Sequence, residues 1–305
     1  MPIKIPKSLP ATAILEDENI FVISEERAKV QNIRPLEILL FNLMPKKIET
    51  ETQILRLLSN SPLQINIELL QTSTYEPKNT SQKHLLSFYK TFADIANKNY
   101  DGLIITGAPV EHLPFETIAY WDELCSILEW SRTHVFSKFF ICWSAIAALW
   151  YFYKIPRHIV NNKICGIFEH TIVNERHNLL RGFDNIFYAP HSRYFTILED
   201  DLQKHNCLEL LATSQNAGPY IIASKDQREF YVTGHSEYDR DTLKNEYLRD
   251  LEKSSPVALP YHYFKDNDCK KEPIFNWRSH GALLFSNWIN HIVYQNTPYD
   301  LSQFC

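Results

Sequence analysis

The chain has 305 residues, 45% of them apolar and 13% aromatic, which is ample for a sizeable core and leaves no tract of disorder-favouring composition. Its formal charge of -5, with Lys and Arg scattered rather than gathered into a stripe, argues against a nucleic-acid partner. The opening MPIKIPKSLPATAIL places prolines where a secretory signal needs an unbroken apolar core, and the longest apolar run, Ala145 to Tyr153, falls short of the ~20 residues that span a bilayer. A cytoplasmic protein with no membrane segment is expected.

From residue 35 the elements alternate. PLEILLFNLM (35–44) reads as a strand ending in a loop, followed by a helix in IETETQILRLLSN, whose apolar residues suit one face. LQINIELLQ (63–71) alternates as a strand, 84–97 reads as a helix, and DGLIITGAPVE (101–111) is a nearly continuous apolar strand running into Gly-Ala-Pro. A helix over 121–132 precedes the strand 135–141, and a second helix starts near Ser144. This β-α repetition predicts a doubly wound, mostly parallel sheet in an α/β fold, with functional groups at the carboxyl ends of its strands. After 155 the pattern becomes β-rich, with IVNNKICGIFEH, FYAPHSRY, YIIASK and EFYVTGH as short strands, then a helix at 239–253 and an amphipathic helix from Gly281. No linker or repeat divides the chain, so one domain over 1–305 is expected, with a β/α core at about 35–255 and both terminal extensions packed on it.

The six cysteines, Cys125, Cys142, Cys165, Cys207, Cys269 and Cys305, occur singly and read as reduced thiols. Neither they nor the twelve histidines show the spacing of a zinc site, so no metal is expected. Cys142 is placed unusually, in the turn between the strand FFI and the helix SAIAALW. A thiolate there meets unpaired backbone N–H groups and the positive end of the helix dipole, and the same amides, Trp143 first, suit an oxyanion hole. A core cysteine that merely packs is the plain alternative. In YVTGHSEYD a second strand ends at Gly234, and His235 and Glu237, two residues apart in extended chain, project to one side. Nucleophile, base and orienting carboxylate form the set used in covalent catalysis, although His-x-Glu alone is common on surface strands.

NIRPLEILLFNLMPKKIETETQILRLLSNSPLQI, DGLIITGAPVE, FICWSAIAAL, GIFEH, APHSRY, VTGHSEYD, WRSHGALLFSNW and YQNTPYDL closely resemble the homoserine O-acyltransferases of the MetA type along nearly the whole chain. The resemblance implies a class I glutamine amidotransferase-like fold, the first committed step of methionine synthesis, and a homodimer. It makes Cys142 the acyl-accepting nucleophile, His235 the general base and Glu237 its partner, with Lys163, Ser192 and Arg249 contacting substrate, where each would otherwise read as a solvated charge or a turn hydroxyl. L-homoserine and acetyl-CoA are the implied substrates, the latter a co-substrate, and no cofactor is needed. Family members divide at the position of Glu111, glycine accompanying succinyl-CoA and glutamate acetyl-CoA, with Ser192 also bordering the acyl group.

Ser144, Ile146 and Ser236 depart from the family pattern. Ile146 removes a polar side chain one helical turn from the thiol, and Ser236, standing for proline, is expected to loosen the backbone that holds the base. The oxyanion is expected to meet amides near Trp143 and in the NLMP loop. Succinyl transfer, serine acetylation, a glutaminase and a non-catalytic relative remain as alternatives.

Overall fold

A computed structural model of the chain describes residues 3–6, 8–18, 22–23, 34–75, 79–252 and 257–301. The strands are β1 (Ile3–Lys4), β2 (Val22–Ile23), β3 (Leu36–Phe41), β4 (Ile65–Leu70), β5 (Tyr89–Lys90), β6 (Tyr100–Ile105), β7 (Val135–Ile141), β8 (His158–Ile172), β9 (Ile186–Thr196), β10 (Leu208–Ser214), β11 (Gly218–Ser224) and β12 (Glu229–Val232). They form one sheet in the order β2-β1-β4-β3-β6-β7-β12-β11-β10-β8-β9, with β5 beside β4. From β2 to β12 every pairing is parallel; from β12 to β9 every pairing is antiparallel.

The α-helices are α1 (Pro10–Asp17), α2 (Lys47–Leu58), α3 (Gln82–Phe88), α4 (Phe92–Ile95), α5 (Trp121–His134), α6 (Trp143–Tyr153), α7 (Glu199–Gln203), α8 (Thr242–Glu252), α9 (Arg278–Asn287), which continues into a π-helical turn, Trp288–Val293, and α10 (Tyr294–Asn296). Apolar runs such as LEILLF and YDGLII are buried along nearly their full length, as strands covered on both faces must be. Helix α6 is buried from Trp143 to Leu149, which explains why its sequence is apolar all round.

Three local readings change. The helix expected over 84–97 is two short helices separated by β5, because Tyr89 and Lys90 pair with Leu69 and Leu70, and Thr91 and Asp94 build a new capping box. The short strands expected around GIFEH and APHSRY are one long hairpin of 15 and 11 residues, β8 and β9. Strand β10, which the sequence pattern did not single out, links that hairpin to β11. The chain reverses direction across the sheet at β3, with β4 on one side and β6 on the other, so the crevice outside the carboxyl ends of β3, β6, β7 and β12 is the natural place for a ligand.

Candidate active site

Strand β7 delivers Cys142 to that crevice. The residue has φ 53° and ψ −112°, a backbone conformation that a side chain makes costly, and it persists here because its surroundings fix it on every side. Its N–H donates to Val232 O of β12 at 2.7 Å, and its carbonyl accepts the Ala145 N–H at 3.1 Å. The Ser144 hydroxyl closes the turn: it accepts from Ile141 N at 3.0 Å and donates to Ile105 O at 2.7 Å, joining the elbow to the end of β6. Cys142 stands at the strand-to-helix junction that the sequence places there, and Ser144, a departure from the family pattern, bridges the elbow to β6.

Beyond β12, His235 N donates to Pro190 O at 2.8 Å, which seats the imidazole beside the thiol. His235 Nδ1 lies 2.6 Å from Glu237 Oε1, both side chains being buried, and Cys142 is near enough for its charge to act on the ring. Burial alone would lower the imidazole pKa, yet the charges of Cys142 and Glu237 outweigh it and hold the group well above its ordinary value. Proximity of thiol, imidazole and carboxylate gives a pair that can carry charge as thiolate and imidazolium while excluded from water. Gly107, at the end of β6, makes the approach possible: a Cβ there would lie 3.3 Å from His235 Cε1 and 3.4 Å from Cys142 Cβ.

Ser236 does not loosen the base. Its hydroxyl hydrogen-bonds the buried Tyr220 hydroxyl, and Gly281 of α9 packs so closely that a Cβ there would meet Ser236 O at 2.6 Å. A side-chain tether and backbone packing restrain the turn in place of a proline ring. Ile146 is buried among core residues, consistent with a purely apolar role.

The oxyanion expectation splits. Trp143 is the first residue of α6, where no intrahelical carbonyl can reach its N–H. The NLMP loop cannot help: the amides of Asn42, Leu43 and Met44 donate to Leu70 O (3.1 Å), Thr106 Oγ1 (2.8 Å) and Asn42 Oδ1 (3.1 Å), and Pro45 has none. The side chains of Asn42 and Thr106 consume the donors that the loop seemed to offer.

The remaining candidates gather around Glu246 of α8. Its carboxylate accepts from Ser192 Oγ at 2.6 Å and from Tyr238 Oη at 2.9 Å, with Lys163 Nζ at 3.8 Å. Lys163 also reaches Asp250 at 3.2 Å; burial opposes its charge, but Cys165, Glu246 and Asp250 together raise its pKa. Arg249 is half exposed, holds Asp250 Oδ1 through Nε and Nη2 at 3.0 Å, and lines a cavity of about 300 Å³ with Glu246, Tyr238, Met44 and Gln53. Glu111 is close enough to feel the charges of the site: burial raises its carboxyl pKa, while Lys163 and His235 pull it back. Arg157 supports its loop by donating to Glu111 O at 2.9 Å.

Several residues went unnoticed in sequence. Arg193, next to Ser192, is wholly buried with its guanidinium on Phe195 O, Ala217 O and His191; burial pulls it down to about 10, and the charges of Cys142 and Glu111 oppose that. Lys47 is buried too, its amine pulled down to about 8 by burial against the opposing charge of Glu51, and it donates to Asn42 O beside a second cavity of about 480 Å³. Leu43, Met44, Val110, Tyr75 and Tyr120 line that cavity, so the NLMP loop stands between two spaces. Charged residues on β9 and α2 carry no sequence signal of burial; only their strand and helix partners reveal it.

A family model described as homoserine O-succinyltransferase matches residues 2–299. A homoserine O-acetyltransferase of Methanomassiliicoccus intestinalis is 60% identical over 301 residues, covering 99% of this chain and 98% of that one. A homoserine O-succinyltransferase of Photobacterium profundum is 53% identical over 304 residues, covering 100% of this chain and 97% of that one. Among solved structures, a glutamine amidotransferase from Thermotoga maritima aligns with TM-score 0.56 at 11% identity, over 86% of this chain and 100% of that one, a likeness that shows the class I glutamine amidotransferase-like fold alone. Matched in this way over almost its entire length, the chain belongs to the homoserine O-succinyltransferase family.

Proposed function

We propose that the protein is a homoserine O-acetyltransferase of methionine biosynthesis, acting by ping-pong acyl transfer through Cys142. The observation that carries the reading is the contiguous Cys142–His235–Glu237 set, held at the carboxyl ends of β7 and β12 in a chain of this family. In the first half-reaction the thiolate attacks the thioester carbonyl of the donor. The oxyanion is met by the Trp143 amide, the bond to the CoA sulfur breaks, and the imidazolium of His235 supplies the proton that CoA carries away. In the second, His235 takes the γ-hydroxyl proton of L-homoserine as that oxygen attacks the acyl-cysteine. The carbon–sulfur bond then breaks to restore the thiolate, and Glu237 holds the imidazole tautomer throughout.

The 300 Å³ cavity supports the acceptor side, with Arg249 suited to an amino-acid carboxylate and Glu246 to its ammonium; Lys163 and Ser192 fix Glu246 from the side of β8 and β9. The 480 Å³ cavity across the NLMP loop, lined among the described residues mostly by apolar side chains with a few polar ones, suits a pantetheine arm. Acetyl rather than succinyl is proposed because Glu111 lies within electrostatic reach of His235 and Lys163, where a second carboxylate would meet its charge. Assembly as a homodimer belongs to the same proposal and is read from the solution mass.

The test is the purified protein with acetyl-CoA or succinyl-CoA and homoserine, serine or glutamine, products identified by mass. O-acetylhomoserine as the dominant product supports the reading. O-succinylhomoserine, O-acetylserine or ammonia from glutamine as the dominant product would replace it.

A further inference from the structure

Tyr238 is not explained by the catalytic set, yet it touches both halves of the site. Its ring lies flat on the imidazole of His235, with centroids 4.1 Å apart and planes inclined by 15°. Its hydroxyl donates to Glu246 Oε1 at 2.9 Å, and that carboxylate accepts from Ser192 with its other oxygen at 2.6 Å. The backbone is fixed as well, since Tyr238 N donates to His235 O at 3.2 Å and Tyr238 O accepts from Trp277 Nε1 at 2.9 Å. Glu237 governs rotation of the imidazole within its plane by gripping Nδ1, while the stacked ring resists tilting of that plane. Tyr238 and Glu246 both line the 300 Å³ cavity, so the wall of the acceptor space is also the surface on which the base rests.

We propose that Tyr238 is a positioning residue that couples occupancy of the acceptor cavity to the orientation of the His235 imidazole. The inference rests on the acyl-transfer reading above. When the cavity is empty, Glu246 is divided among Tyr238, Ser192 and Lys163; an acceptor that draws on Glu246 changes the pull on the tyrosine hydroxyl, and the rigid ring passes that change to the imidazole on its other face. Two contributions are separable. Stacking is present in both half-reactions, because the aromatic face favours the imidazolium in each. The hydroxyl matters only when the acceptor is bound.

The experiment follows the two half-reactions in the full-length protein with acetyl-CoA: release of CoA before acceptor is added, then discharge of the acyl-enzyme by L-homoserine. Tyr238→Phe, which keeps the ring, is expected to acylate within about threefold of wild type but to discharge to homoserine about tenfold more slowly, the loss of one hydrogen bond to a charged group. Its KM for homoserine should rise, and that for acetyl-CoA should not. Tyr238→Leu is expected to slow both steps, and the split between the two steps in the Phe variant is what a merely structural role would not produce. A Phe variant that slows both steps equally, or neither, defeats the coupling while leaving the acyl-transfer reading intact. Absence of CoA release in the wild type overturns the acyl-transfer reading and the coupling with it.

Discussion

Replacing Glu237 by glutamine isolates the charge of the orienting group, because the side chain keeps its shape and its amide oxygen can still accept from His235 Nδ1. The native contact is 2.6 Å between two buried side chains. With charge centres about 4 Å apart and an effective dielectric of about 20, attraction between carboxylate and imidazolium is about 4 kcal/mol, of which solvent rearrangement in the variant should recover up to half. A net loss of about 2–3 kcal/mol lowers the rate of acylation roughly 30- to 200-fold. The sign of the pH effect also follows. Cys142 and Glu237 raise the His235 pKa against burial, so removing one of those charges lowers it, and the alkaline limb where the imidazolium is lost moves to lower pH. Cys142 and Glu111 are the other acidic groups acting on that ring, with His191 opposing them, and all three are unchanged by the substitution. Single-turnover release of CoA from acetyl-CoA, measured from neutral to alkaline pH, reads both effects. A Gln variant within about threefold of wild type with an unmoved alkaline limb would refute the assignment.

Glu111→Gly should raise use of succinyl-CoA relative to acetyl-CoA: even a quarter of the roughly 4 kcal/mol repulsion between two carboxylates ~4 Å apart gives a several-fold change in donor ratio, and an unchanged ratio in competition assays would count against it. Ser144→Ala strands the buried Ile141 N–H and should cost about 1–3 kcal/mol in urea unfolding while slowing acylation; an unmoved midpoint would contradict the bridge. Gly107→Ala forces a methyl to 3.3 Å from His235 Cε1, so at least tenfold lower activity is expected with the unfolding midpoint nearly unchanged, and full activity would show that the imidazole and thiol can move apart freely.

Much of this site was legible because its signals are local. The switch from FFI to SAIAALW marks a strand-to-helix junction by composition alone, and that junction is where Cys142 stands. His235 and Glu237 share a direction through their spacing, and the structure brings the carboxylate onto the imidazole. What was missed depends on contacts between distant segments. The break in the 84–97 helix is made by pairing with β4, which the sequence of that helix cannot announce. The NLMP loop looks like a row of free amides until Thr106, just past the end of β6, takes one of them. Ser236 looks like a loss of rigidity until Tyr220 and Gly281 are beside it. Tyr238 had a local signal, an aromatic three residues beyond the histidine in a turn, but whether it stacks or points to solvent is decided by α8 and by Trp277.

The central claim is that Cys142 carries the acyl group between donor and acceptor, and the most direct measurement is the intact mass of the protein after exposure to acetyl-CoA with no acceptor present. The account predicts a gain of one acetyl group, mapped by peptide analysis to Cys142, absent from Cys142→Ala and discharged when L-homoserine is added. An adduct that persists in the Ala variant, or O-acetylhomoserine formed by that variant at the wild-type rate, would contradict it.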